Sequence, residues 1–237
     1  MLYSNNLDDL VTLIVPAKNR HELTRRLLTS LVETKATWKT ILVDDGSLPS
    51  LASIADMHPD LNLNLIRCKH SVGPAAARNI GLKEATTPFV AFTDNDVQVT
   101  PGWMEALVTH LQTAPPDVAG VGGSVVTTEN SFVGEYATRL RLLDPFRYKG
   151  RIVYLVTANC IFKRRALIEI GGFDESFRLP GGEDPELSFR LLKAGYSLEE
   201  EPDAVVRHAY SPSWFAFAKM FFRYGKGCRR AMERLKR

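Results

Sequence analysis

Residues 88–97 read PFVAFTDNDV: four residues that look like a buried strand, a phenylalanine and a hydroxyl, then Asp94 and Asp96 separated by one amide. Two carboxylates so close together repel, so a chain that places them where a strand emerges needs a positive partner there. Asp and Asn also form turns by bonding their own backbone, and a simple turn accounts for part of the pattern. The chemical alternative is a divalent cation. Mg²⁺ or Mn²⁺ prefers hard oxygen ligands, and Mg²⁺ typically takes one or two carboxylates and fills its shell with water and phosphate oxygens.

Upstream of this stretch, short β-rich runs alternate with helical patterns. VTLIVP precedes HELTRRLLTSLVE, KTILVDD precedes LPSLASIADMH, LNLIRC precedes PAAARNIGLKEA, and PFVAFTDND precedes PGWMEALVTHLQ. This alternation predicts parallel strands joined by right-handed helical crossovers, an α/β fold with its ligand beyond the carboxyl ends of the strands. Polar clusters fall at those ends: Lys18 and Asn19, Asp44 and Asp45, then Asp94 to Asp96. Downstream, VAGVGGSVVTT and IVYLVTANCIF read as strands. The charged and aromatic stretch between them, Glu129 to Gly150, reads as a mobile or acceptor-facing loop. KRRALIEIGG is a helix with a glycine stop, and DPELSFRLLKAG a helix with Asp184 as N-cap and Pro185 at its first position.

The 237 residues, 45% apolar, suffice for one large domain. Thirty basic and 27 acidic residues leave a formal charge of +3, too little to argue for nucleic acid. Cys68, Cys160 and Cys228 form no Cys-x-x-Cys pair, so neither a disulfide framework nor a thiolate zinc site is expected, and a reducing cytoplasm fits. The opening MLYSNNLDDL is acidic, unlike a signal peptide, and no apolar run reaches the ~18 residues of a spanning helix.

Each remaining motif has a structural and a chemical reading. ILVDDGS ends a strand in two carboxylates; it is a polar turn, or Asp45 accepts from a ribose hydroxyl or a base. In SVGPAAARNIG, a glycine turn leads into a small-residue helix, and Arg78 either contacts a nucleotide base or pairs with an aspartate on a neighbouring loop. No Gly-x-Gly-x-x-Gly or Walker lysine occurs. As N-cap, Asp184 would stay ionised and serve as a general base. His208, in AVVRHAY, is structural or, if its strand returns to the same rim, completes a metal site or meets phosphates.

In order and spacing, IVPAKNR, LVDDGS, GPAAARNIG, FTDNDV, GGFDESF and GGEDPELSFRL resemble the family 2 glycosyltransferases of GT-A fold, over roughly residues 10–210. That resemblance implies a mostly parallel Rossmann-like sheet flanked by helices, with a smaller acceptor-side subregion and C-terminal helices. It divides a single domain into a nucleotide-sugar half (10–120), an acceptor and catalytic half (121–210) and a basic helical segment (211–237). It implies that Pro16, Ala17, Asp45 and Arg78 hold the nucleotide base, that Asp94 and neighbouring Asn95 meet the nucleotide at its ribose, and that Asp96 coordinates Mg²⁺ or Mn²⁺. His208 would sit at the metal or diphosphate, Asp184 would be the base, and Glu183 would lie near the acceptor.

The implied reaction is a single inverting displacement from a nucleotide-sugar donor, a UDP-sugar foremost, to a glycan or lipid-linked acceptor. Lys18, where the family commonly has an aromatic residue, and Ser71, near a common asparagine, depart from its pattern. A sugar-phosphate nucleotidyltransferase would need a glycine-rich basic loop that IVPAKNRHEL does not supply. A non-catalytic nucleotide-sugar sensor is the alternative from another class. Phe215, Phe217, Phe221, Phe222 and Tyr224 precede a run of Lys and Arg to Arg237. That segment packs on the body, or rests on anionic lipid at the inner face of the membrane, or binds an acidic glycan or another subunit.

Overall fold

The computed structural model describes residues 6–128, 131–211 and 213–235. The N-terminal Met1 to Asn5, the opening Glu129 of the expected loop, and Lys236 and Arg237 of the basic run lie outside the described residues. In chain order the first half comprises α1 (Leu7–Leu10), β1 (Val11–Ala17), α2 (His21–Glu33), β2 (Lys39–Asp44), α3 (Ala52–Asp56), β3 (Leu63–Arg67), α4 (Pro74–Glu84) and β4 (Phe89–Thr93). Then come β5 (Val97–Val99), α5 (Trp103–Thr113), β6 (Val118–Thr127), α6 (Phe132–Arg139), β7 (Phe146–Tyr148), β8 (Arg151–Tyr154) and β9 (Asn159–Lys163). The chain closes with α7 (Arg164–Glu169), α8 (Glu183–Lys193), β10 (Ser197–His208) and α9 (Trp214–Leu235).

Eight strands form one sheet in the order β3-β2-β1-β4-β9-β6-β10-β5. The first four are mutually parallel, as the alternating pattern requires. β2 lies on one side of β1 and β4 on the other, a switch point of the kind at whose strand ends ligands bind in such sheets. Along β1, successive side chains point to opposite faces: Leu13 and Val15 enter one apolar cluster and Ile14 enters the other. Helices cover both faces, and α4 lies so close on β1 that a Cβ at Gly81 would come within 2.5 Å of Ile14.

Beyond this half, β10 runs parallel to β6, while β9 runs antiparallel to both β4 and β6 and β5 antiparallel to β10. Three expectations need correction. IVYLVTANCIF is two strands, β8 and β9, broken by a turn at residues 155–158. The stretch read as a loop contains α6, capped by Ser131, whose hydroxyl accepts from Gly134 N at 3.1 Å, and β7, which pairs with β8. LPSLASIADMH gives only the five residues of α3.

Candidate active site

The carboxyl ends of β1 and β4 gather most of the polar residues singled out above. Arg78 projects from α4 with its side chain almost fully buried. It donates to Asp94 Oδ1 at 2.8 Å and to Glu183 Oε1 at 3.2 Å, so one guanidinium joins α4, the β4 exit and the start of α8. Burial alone would favour losing the proton, but Asp94, then Asp184 and Glu183, hold it more firmly than usual. Of the two readings of Arg78, the pairing with a neighbouring aspartate is the one seen. Glu183, expected beside the acceptor, is turned to Arg78, and its other oxygen accepts from Gly181 N at 2.6 Å.

Asp96 and His208 meet because β10 does return to this rim. Antiparallel pairing sets His208 opposite Val97, and Ala209 N donates to Asp96 O at 2.9 Å. The His208 Nε2 lies 3.3 Å from Asp96 Oδ1, and Arg20, just after β1, pairs with Asp96 Oδ2. Burial pushes the Asp96 carboxyl up, but His208 and then Arg20 outweigh it and pull it down to about 2. Burial lowers His208, and Asp96 more than offsets that, so the imidazole is raised.

Asp184 is placed differently from its expected capping role. The N-cap of α8 is Gly182, in the left-handed region, and Asp184 is the second helical residue with Pro185 the third. Its carboxylate is therefore free to accept from Thr157 Oγ1 at 2.9 Å and Thr157 N at 3.3 Å, in the turn between β8 and β9. Nor does the helix terminus keep it firmly ionised. Dense packing, with Glu183 and Asp94 nearby, pushes the carboxyl up to about 7 despite Arg78 and the Thr157 hydrogen bond. A carboxyl raised above its ordinary 3.8 holds its proton longer in the folded than in the unfolded chain, so this group lowers stability as pH rises from about 4 to about 7.

The nucleotide-side residues are engaged within the protein. Asp45 accepts from Ser71 Oγ at 2.7 Å, Val72 N at 2.5 Å and Gly73 N at 3.1 Å, which fixes the loop into α4 and gives Ser71 a use. Asp45 N donates to Ala17 O at 2.8 Å, so Pro16, Ala17 and Asp45 lie on adjoining strand ends. Asn95 is buried and spends its amide nitrogen on Thr24 Oγ1 at 3.0 Å and Asn19 O at 3.5 Å, bracing the Arg20 segment. Arg20, Thr157 and Tyr210 join the site without having been singled out. Arg20 lies within a quoted motif, and Thr157 marks the break in an apparent strand.

Among the described residues, no group of three or more His, Cys, Asp and Glu side chains is placed to hold a metal alone. Asp96 and His208 nevertheless fit a partial set. Asp96 Oδ1 is buried with only His208 beside it, and one carboxylate with one imidazole leaves positions that water and phosphate oxygens fill.

Comparison with known proteins identifies the family. The model for glycosyl transferase family 2 matches residues 12–171, and one for the N-terminal domain of galactosyltransferase matches residues 138–211. The chain belongs to glycosyltransferase family 2. It is 37% identical over 207 residues to the pre-mycofactocin glycosyltransferase of Mycobacterium tuberculosis, which covers 84% of this chain but only 42% of that protein. It is 28% identical over 225 residues to glycosyltransferase AglE of Haloferax volcanii, covering 92% of this chain and 72% of that one. Among solved structures, a mannosyltransferase from Pyrobaculum calidifontis in complex with GDP-Man and Mn²⁺ superposes with TM-score 0.66 at 25% identity, over 87% of this chain and 59% of that one. GalNAc-T7 with UDP, GalNAc and Mn²⁺ superposes with TM-score 0.67 at 17% identity, over 88% of this chain and 45% of that one, a likeness of fold. The fold is that of the GT-A glycosyltransferases.

The Arg78 bridge makes a direct prediction. Arg78→Met leaves Glu183 buried without its counter-ion and is expected to lower stability by about 3–5 kcal/mol in denaturant titration. Arg78→Met combined with Glu183→Gln should recover most of that loss; no recovery would mean that the two are not energetically linked.

Proposed function

We propose that the chain is an inverting glycosyltransferase that moves a sugar from a nucleoside-diphosphate donor, a UDP-sugar foremost, to a hydroxyl of a glycan or lipid-linked saccharide. The observation that carries this reading is a geometric one: the Arg78 bridge joins the segments that set Asp96 beside His208 and Asp184 beside Thr157, in surroundings that push Asp96 down to about 2 and Asp184 up to about 7. Environments that push two carboxyls apart assign them different tasks. Asp96 stays an anion suited to a cation, and Asp184 titrates near neutrality, where a general base is most effective.

In this reading Asp184, oriented by Thr157, takes the proton of the acceptor hydroxyl. The oxygen then forms a bond to the anomeric carbon as the bond from that carbon to the diphosphate breaks, and the configuration inverts. Arg78 keeps Asp94 and Glu183 in place. Asp96 and His208 would hold Mg²⁺ or Mn²⁺, which when bound neutralises charge on the leaving diphosphate. The mannosyltransferase neighbour carries GDP-Man and Mn²⁺, which supports a nucleotide-sugar donor and a divalent cation here. Pro16, Ala17 and Asp45 sit at the strand ends where the base would lie.

Three free thiols fit a reducing cytoplasm, and no helix among the described residues is long and apolar enough to cross a membrane. Peripheral contact through α9 is consistent with that. Phe215 and Phe222 are 81% and 78% exposed, two turns or about 10.5 Å apart, with exposed Lys219, Arg223, Lys226 and Arg229 on the same helix. Aromatic rings beside cations suit an anionic lipid surface and would bring a lipid-linked acceptor to the enzyme.

Asp184→Asn is expected to keep donor binding while lowering transfer by at least about 10²-fold, and wild-type turnover should rise with pH through about 7 as Asp184 loses its proton. Full turnover in the variant, or a rate that falls over that range, would remove Asp184 from the mechanism. Phe215→Asp with Phe222→Asp should abolish co-sedimentation with phosphatidylglycerol vesicles while pure phosphatidylcholine captures neither protein. Equal capture of variant and wild type would exclude α9 as the contact.

A further inference from the structure

Two buried polar atoms at and just past the end of β10, His208 Nδ1 and Tyr210 Oη, have no hydrogen-bond partner. The His208 and Tyr210 rings are 4.6 Å apart between centroids, and His208 Nε2 lies 3.3 Å from Asp96 Oδ1. Tyr210 is only 4% exposed. A buried polar group left unpaired costs about 1–3 kcal/mol, and native structures carry few such groups, so two on adjacent rings point to a polar ligand.

Nothing else nearby accounts for the phenol. Asp96, Asp144 and Tyr224 act on it electrostatically. Asp144 spends one oxygen on Val125 N at 2.8 Å and the other on Arg141 Nε at 2.6 Å. Phenylalanine would fill the same place in the apolar core without stranding a donor. The hydroxyl is thus maintained at a cost to the fold, beside the two side chains that suit a metal and its diphosphate.

We propose that Tyr210 is a positioning residue of the donor site, its phenol donating a hydrogen bond to a phosphoryl oxygen of the donor's diphosphate. This rests on the nucleotide-sugar reading above and extends it to a residue outside the acidic motifs. A phenol at neutral pH is a donor, and a phosphoryl oxygen is an acceptor whose negative charge strengthens the bond. Tyr210 supplies no proton to the reaction and takes none; its part is to orient the leaving group.

The test compares wild type with Tyr210→Phe by calorimetric titration of UDP and of GDP in the presence of Mn²⁺, with uridine and guanosine as phosphate-free controls, and by thermal melting without ligand. The variant is expected to melt at the same temperature or higher, because an unpaired buried hydroxyl has been removed. Its affinity for whichever diphosphate the wild type binds should fall at least about tenfold, the worth of one hydrogen bond to a charged acceptor, with nucleoside binding unchanged. Unchanged diphosphate affinity, an equal loss for the nucleoside, or a lower melting temperature would each overturn the assignment. A wild type that binds neither diphosphate would overturn the donor reading together with it.

Discussion

The buried guanidinium of Arg78 is the constraint on which the rest of the site depends. It is held by Asp94 from the β4 exit and Glu183 from the start of α8, residues 16 and 105 positions away in sequence. Taking an arginine out of water is costly, and the structure meets that cost only by bringing two carboxylates to it. Those carboxylates arrive on the elements that also carry Asp96 and Asp184. The ion-pair cluster that joins α4 and the β4 exit to the start of α8 therefore ties together the two segments that carry Asp96 and Asp184.

Around this bridge, local packing assigns opposite states to like side chains. Asp96 faces Arg20 and an imidazole and remains an anion, whereas Asp184 sits among other carboxylates and keeps its proton to near neutrality. The α8 start makes this arrangement possible. Gly182 takes the capping position with positive φ and lies against the backbone of Gly227 on α9, where a Cβ would come within 2.6 Å. Any larger residue at either position would push α9 off the loop that delivers Glu183 and Asp184, so the C-terminal helix supports the start of α8.

Much of this was legible in the sequence wherever local chemistry decides structure. The apolar spacing of α2 and the Gly73-Pro74 start of α4 mark those helices at their observed first residues, and the β4 exit appears in FTDND itself. What could not be read was tertiary. Strand direction leaves no local signature, so β9 gave no sign that it inserts antiparallel between β4 and β6. Asp184 before Pro185 has the chemistry of an N-cap, and only the left-handed Gly182 shifts the helix start and frees the carboxylate for Thr157. The short α6 places only Val133, Gly134 and Ala137 in the interior, too few for a visible period. Arg20 and Tyr210 acquire meaning only when β1 and β10 bring them to Asp96 and His208.

The central claim is that Asp96 and His208 receive a divalent cation together with a nucleotide sugar, and that the site then transfers the sugar. It is tested most directly by thermal shift of the wild type and Asp96→Ala against a panel of nucleotide sugars, with and without Mn²⁺. The account predicts that at least one nucleotide sugar raises the melting temperature of the wild type only when Mn²⁺ is present, and that Asp96→Ala abolishes this shift. A shift that is indifferent to the metal, or one that survives in Asp96→Ala, would contradict it.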